Sequence, residues 1–310
     1  MHSTDSDVNV GQRVAGDTKW YIIDTIEVGS VARARDVSRA VRLLAAKLAQ
    51  TDPLAFGLLN CKGVVAMPRQ TPGPRGFSHF QFVFRIPGSM EVLSTTCTQF
   101  AFVHKNVRPE SVLFFEDPTG SRSNVSLVGL DAFWAAGAGT MMAGDMGWDR
   151  NVYRHPLRQG DDPADRYRMQ HDIYSLGVWL LEVGIWESFV EYTGESEDQP
   201  GGKPQAKFGR SYYRFQTWMS EKKSATGISQ GSEPFLHALG FKLKDYLVEL
   251  ARTRLPPRMG EQYTRVVVSC LTFLDDDNED FVGLEENSSD DAVAVHFNET
   301  AMKLLNGSSV

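Results

Sequence analysis

Cysteine is scarce in this sequence of 310 residues, which has three: Cys61, Cys97 and Cys270. Their number is odd and they are far apart, and no C-x-x-C pair occurs, which argues against a zinc site or a disulfide framework. We therefore expect free, partly buried thiols in a reducing compartment. On this basis the sequence predicts an intracellular, cytoplasmic protein.

Long apolar runs are also missing. A membrane-spanning helix needs about 18 or more such residues in succession, and residues 1–18 lack the apolar core of a signal peptide. Positive charge is not in excess either, since the formal net charge is −7, which argues against nucleic-acid binding. With 42% hydrophobic residues, the chain can bury one large core or the cores of two lobes.

The first part of the chain indicates a small region of mixed helix and strand. Residues 1–18 are rich in Ser, Asp and Gly and are predicted to be a disordered tail. The periodicity then predicts strands at 19–28, 57–66 and 80–86 and a helix at 31–50. The helix carries one apolar stripe of Val37, Val41, Leu44 and Leu48.

Residues 104–113 read H-K-N-V-R-P-E-S-V-L, which resembles the H-R-D-L-x-x-x-N catalytic loop of protein kinases. In that loop the Asp accepts the substrate hydroxyl proton and the Asn helps to hold magnesium. Their places are taken here by Asn106, an amide that accepts no proton at neutral pH, and by Ser111, a weaker ligand. Arg108 stands in the place of the expected Lys. The resemblance implies an architectural role for His104.

Two predicted strands, residues 112–115 and 125–128, form a hairpin that leads into Gly129-Leu130-Asp131. This triplet lies in the place of the kinase D-F-G motif, whose Asp binds magnesium. Gly129 offers no ligand at that register. Asp131 would take the role only if the strand slipped by two residues, and the apolar pattern of the strand opposes such a slip.

Other kinase features are missing from the small lobe. No G-x-G-x-x-G loop precedes the helix to cover ATP phosphates. The only acid in the helix is Asp36, so the Lys–Glu pair that positions the phosphates has no clear Glu. Lys19 lies at the start of its strand and outside any V-A-I-K pattern. We therefore expect no cofactor, and we expect residual ATP binding to be improbable.

Residues 171–178 (HDIYSLGV) resemble the start of the central helix of the kinase large lobe, which we expect to continue to Glu187. The resemblance assigns Asp172 a structural capping role. Only 16 residues, 88–103, lie between Pro87 and His104. A kinase large lobe has two helices in this segment, which need about 30 residues. Either a segment has been lost from the gene model or the large-lobe core is defective. Further helices are predicted at 232–255 and 260–274, and a strand followed by a helix at 292–305.

Two further candidate sites, a pair of histidines and an acidic run, are interpreted as non-catalytic. His155 and His171 lie in blocks that the resemblance makes structural, and no G-x-S-x-G elbow accompanies them. An acidic run, residues 275–286, matches four EF-hand positions but has Asp280 where the calcium loop needs Gly. We interpret this run as a solvated acidic loop.

Five blocks in the correct order resemble the kinase-like domain of filamentous-fungal proteins, often fused to HeLo-type prion-inhibition and cell-death domains: HKNVRPESVL, LVGLD, NVYRHPLRQG, HDIYSLGVWLLEVGIWE and LPPRMGEQYTRVVVSCL. The resemblance implies an α+β, two-lobed kinase-like fold, with a disordered tail at 1–18, a reduced small lobe at 19–87, and a mainly helical large lobe at 88–310. This large lobe is shortened before His104 and ends in an acidic extension.

The family resemblance, together with the missing catalytic groups, predicts a catalytically inactive kinase-like domain that binds or regulates an unidentified protein. The resemblance suggests a setting in fungal non-self recognition or cell-death signalling. The alternative is an atypical active Ser/Thr kinase that uses Asp131. A third reading is a truncated product without a stable fold.

Overall fold

The computed structural model describes residues 8–12, 20–27, 34–50, 57–68, 77–85, 104–116, 123–130, 147–193, 205–226, 234–281 and 288–307. They form helices and small antiparallel sheets, which confirms a mixed α and β composition. The chain divides into two compact units, residues 1–140 and 141–310. The predicted lobe boundary at 87/88 lies outside the described residues and stays a prediction.

Unit 1 is built on a four-stranded sheet whose strands lie in the order β1-β2-β4-β3, with every neighbouring pair antiparallel. Its strands are β1 Val8–Gln12, β2 Trp20–Glu27, β3 Cys61–Pro68 and β4 Phe77–Arg85. Strand β1 corrects the prediction of a disordered tail for residues 8–12, and the other residues of 1–18 lie outside the described residues. The residues of β1 pair with Trp20 to Asp24 of β2, so ladder hydrogen bonds compensate for the polar composition.

Helix α1, Ala34–Leu48, covers this sheet. The predicted apolar stripe of Val37, Val41, Leu44 and Leu48 is confirmed, since all four side chains are buried in the core of unit 1. They share that core with Ile22 and Ile26 of β2 and with Phe80, Phe82 and Phe84 of β4. Burial of one face of the helix is what holds it there, because helix propensity alone is weak.

A hairpin of β5 Val112–Glu116 and β6 Ser123–Leu127 follows in unit 1, as predicted. Its register places Val112 opposite Leu127. Leu127 also forms an isolated parallel bridge with Leu58, and its N–H donates to the carbonyl of Gly57 at 2.8 Å. Val128 and Leu130, just beyond the hairpin, are buried in the same core as the sheet. The hairpin thus anchors both the loop at 104–111 and the Gly129 turn.

Unit 2 is mainly helical. It contains a short helix α2 Trp148–Asn151, the long helix α3 Met169–Ile185, and a two-stranded sheet of β7 Val190–Tyr192 with β8 Ala206–Phe208. Helices α4 Arg210–Thr226, α5 Pro234–Arg254, α6 Pro256–Leu271 and α7 Asp290–Leu305 follow. The predicted helices in the regions of α3, α5 and α6 are confirmed. Sequence reasoning missed α4, whose aromatic residues mask a helical period.

Helix α3 lies at the centre of unit 2, with buried residues on most of its circumference. It packs closely on α6: a Cβ added at Gly177 would lie 2.7 Å from the Cβ of Cys270. The expected strand at the start of 292–305 is wrong, because α7 is helical throughout. Val293 and Leu304 of α7 are buried in one cluster with Phe281. The helical spacing of these apolar residues therefore favours a helix over a strand in this segment. No helix among the described residues is long and apolar enough to cross a membrane.

Candidate functional site: the loop at 104–111

The loop from His104 to Ser111 is buried and closed on itself. It contains a residue with left-handed backbone, Lys105 at φ 65°, and ends in a 3-10 turn at Pro109–Ser111. The Ser111 hydroxyl donates to the carbonyl of Arg108 at 2.8 Å and accepts from the Arg108 N–H at 3.1 Å. The Ser111 carbonyl accepts from the N–H of Val128 at 2.7 Å. The hydroxyl proton is therefore committed to the turn.

Asn106 uses both ends of its amide inside the site. Its Nδ2 donates to the carbonyl of Gly129 at 3.2 Å, and its Oδ1 accepts from the Nε of Arg108 at 2.9 Å. Arg108 also lies 3.7 Å from the carboxylate of Glu110. All three side chains are largely buried. Asn106 therefore links the loop to the Gly129 turn, and an amide in this setting cannot act as a general base.

His104 is almost fully buried at the start of the loop. Desolvation by burial lowers its pKa to about 4, although a hydrogen bond with the backbone of Val128 opposes the shift. The imidazole is therefore neutral at pH 7. This environment fits the architectural role that the resemblance implies for His104.

The structure adds Asp24 to the site, a residue that sequence reasoning missed. Asp24 lies in the middle of β2 and is 1% exposed. Its Oδ2 accepts two backbone hydrogen bonds, from Gly129 N–H at 3.0 Å and Leu130 N–H at 2.8 Å. Gly129 has φ 83°, a left-handed conformation that favours glycine. The signal in the sequence was an acid at the inward position between Ile22 and Ile26.

Successive backbone N–H groups that converge on one point form an anion-binding concavity. In this turn the group at that point is the protein's own Asp24 side chain. The N–H donors of the turn therefore already have an internal acceptor. Neither Asp131 nor Lys19 can be compared with this geometry, because both lie outside the described residues.

The predicted structural residues of unit 2 form a separate buried polar cluster. Asp172 accepts a hydrogen bond from the hydroxyl of Tyr167 at 2.9 Å. Nδ1 of His171 accepts from the backbone N–H of Arg168 at 2.9 Å, which caps the start of α3. The rings of His155 and His171 lie 5.7 Å apart. Burial lowers the pKa of His171 to about 3, so this ring is also neutral at pH 7.

The acidic run at 275–286 has internal partners. Asp275 forms an ion pair with the buried Lys244, and Asp280 pairs with Arg265 and accepts from the hydroxyl of Ser269. Glu286 lies outside the described residues. In the part of the chain that the structure describes, no group of three His, Cys, Asp or Glu side chains is placed to hold a metal ion.

Comparison with known proteins adds no family assignment. No family model matches the chain, and no curated protein matches it. The functional interpretation therefore depends on the sequence motifs and on the local geometry of the loop.

Proposed function

We propose that this protein is a catalytically inactive kinase-like domain that acts as a binding or regulatory module. The observation that carries the proposal is the internal hydrogen bonding of the loop. The amide of Asn106 forms hydrogen bonds with Gly129 and Arg108. The Ser111 hydroxyl forms hydrogen bonds with the backbone of Arg108 and so stabilises the turn. Phosphoryl transfer depends on metal ligands and on a group that orients the nucleophile, and these positions supply neither.

Asp24 supports the same proposal. Among the described elements, strand β2 is the one before helix α1. In protein kinases the strand before that helix carries the Lys that pairs with ATP phosphates. The buried position of β2 that faces the Gly129 turn is a carboxylate instead. An acidic side chain at this position supplies no positive charge for a phosphate, and it already occupies the N–H donors of the turn.

The resemblance to filamentous-fungal kinase-like domains suggests the setting. We propose a role in fungal signalling, in non-self recognition or programmed cell death, through contact with a protein partner. A kinase-like scaffold without chemistry can still serve such a role, because function lies in sites placed on a fold and the fold alone does not fix it.

The test is thermal unfolding of the purified protein with and without Mg-ATP. A ligand that binds only the folded state at 100 times its Kd adds about 2.7 kcal/mol, which raises Tm by several degrees for a domain of this size. We expect a cooperative transition that Mg-ATP leaves unchanged.

A clear rise of Tm with Mg-ATP would contradict a nucleotide-free scaffold. Magnesium-dependent phosphate transfer that Asp131→Ala abolishes would establish the active kinase instead. Absence of any cooperative transition would support the truncated product.

A further inference from the structure

We propose that a surface of unit 2 centred on Trp186 docks an acidic peptide segment that carries an apolar anchor residue. We define the Trp186 surface as Trp186, Arg258 and Met259. The inference rests on the proposed function as a binding module and names the chemistry of its partner. The charge, exposure and backbone conformation of this surface carry the argument.

Trp186 is 87% exposed, and it forms the C-cap of α3 in the left-handed conformation at φ 57° and ψ 41°. Helices commonly end with glycine in this conformation, because a Cβ is unfavourable there. Among the described residues no ring contact or side-chain hydrogen bond engages the indole, whereas Trp148 and Trp218 pack against the core of unit 2. The fold gains nothing visible from an indole at this position, so a role outside folding accounts for it better.

Met259 lies near the last turn of α3, the helix that Trp186 caps. Gly184, two residues before Trp186, faces the start of α6, where an added Cβ would lie 3.4 Å from the Cγ of Met259. Met259 is 43% exposed and precedes Gly260, whose φ of 82° interrupts the helix. An exposed Trp at the end of α3 and an exposed Met in the first turn of α6 therefore lie at the same helix junction.

Arginine side chains lie around Glu187, the residue that follows Trp186 in the chain. Glu187, next to Trp186, is shared by two guanidinium groups, those of Arg214 and Arg254, the second at 3.3 Å. Arg258 donates to the carbonyl of Arg254 at 3.1 Å and has no carboxylate partner among the residues the structure describes. Of the charged side chains that these contacts bring together, three are arginines and one is a glutamate, in a chain whose net charge is −7.

This composition fits a binding surface for one class of partner. Trp, Met and Arg are enriched in protein interfaces, and Trp and Arg dominate their binding energy. An apolar side chain of the partner would cover the indole, and its carboxylates would pair with Arg258 and with the guanidinium groups that share Glu187. Opposite charge on the two sides also speeds encounter and rejects basic partners.

The experiment is a selection of peptides from a displayed library whose positions are drawn from acidic, basic, polar and apolar residues. The intact protein is the bait. Recovered peptides are measured by fluorescence polarisation against wild type, Trp186→Gly and Arg258→Glu. Leu43→Ala and Arg42→Glu are matched controls, because these neighbours are an exposed apolar and an exposed basic residue on α1.

We expect acidic peptides with an apolar residue to be recovered. Their affinity should fall at least tenfold with Trp186→Gly and with Arg258→Glu, stay within twofold for the controls, and weaken as salt is raised. The fold should survive Trp186→Gly, with a Tm equal to or above that of wild type, so lost binding would not reflect unfolding.

Recovery of basic or neutral peptides, or of peptides that bind the Trp186→Gly variant as well as wild type, would overturn the proposal. So would recovery of no binding peptide. If this happened while Mg-ATP still left Tm unchanged, the inactive-scaffold proposal would stand and only this surface would be rejected.

Discussion

The loop of unit 1 and the Trp186 surface of unit 2 differ in the burial of their side chains. At the loop, the side chains of Asn106 and Ser111, and that of Asp24 on β2, form hydrogen bonds with buried backbone groups. At the surface, Trp186 is 87% exposed and Met259 is 43% exposed. The polar groups of the first region are held by hydrogen bonds within the protein. The apolar side chains of the second region are exposed.

This difference teaches where to look for function in the molecule. Polar groups that bond to each other contribute to stability and specificity of the fold, because leaving any one of them unpaired is costly. Exposed apolar and basic groups contribute nothing comparable to folding. Substitutions in the loop should therefore change mainly stability, and substitutions at the Trp186 surface should change mainly binding.

The largest expected effect is acid destabilisation of both units. Burial lowers the pKa of His104 to about 4 and that of His171 to about 3, from about 6.5 in the unfolded chain. Because the unfolded state binds protons first, stability is complete above pH 6.5 and is lost as pH falls toward 4. Each histidine should cost about 3 kcal/mol over that range. Urea unfolding at pH 7 and pH 4.5 measures the loss, and a flat profile would contradict it.

A single substitution in the loop sharpens the contrast further. Asp24→Ala removes the acceptor of two buried N–H groups, those of Gly129 and Leu130. Such unpaired donors cost about 1–3 kcal/mol each, so we expect a loss of about 3 kcal/mol in urea unfolding. Asp24→Asn keeps an acceptor oxygen in place and should cost less. Equal losses for the two variants would mean that the carboxylate acts through its charge alone.

Much of the secondary structure could be predicted because it follows local periodicity. The stripe of α1 from Val37 to Leu48 has helical spacing, and the strand pattern of the hairpin fixes its register. Strand β1 was missed because pairing with β2 determines it more than its own composition does. Helix α4 was missed because its aromatic residues do not form a simple stripe.

The candidate site shows a different limit. The motif predicted which residues occupy the loop, but it gave no information on the partners of Asn106 and Ser111. Asp24 precedes Gly129 by 105 residues along the chain, so no local pattern links them. Trp186 lay inside a motif assigned to the central helix, and its left-handed backbone emerges only where the helix ends.

Packing in unit 2 offers a smaller effect with a matched control in unit 1. A methyl group added by Gly177→Ala would lie 2.7 Å from Cys270 Cβ and 3.2 Å from the backbone nitrogen of Leu271. Overpacking between two helices costs about 1–3 kcal/mol, and we expect about 2 in urea unfolding. Gly63→Ala in β3 meets nothing within 4 Å and should be neutral or slightly stabilising. Similar losses in both variants would show that α3 and α6 can separate to accept the methyl.

The smallest effect has the opposite sign and bears most directly on the comparison. Trp186→Gly places glycine at a left-handed C-cap, φ 57°, and removes a side chain that is 87% exposed. Relief of backbone strain should raise the free energy of unfolding by about 1 kcal/mol, measured by urea titration, with Trp186→Ala as the control that keeps a Cβ and should gain less. A loss of stability in the glycine variant would mean that the indole supports the fold. A gain would show that the chain tolerates a less stable helix end to keep this ring in solvent, which is expected of a residue retained for contact with a partner.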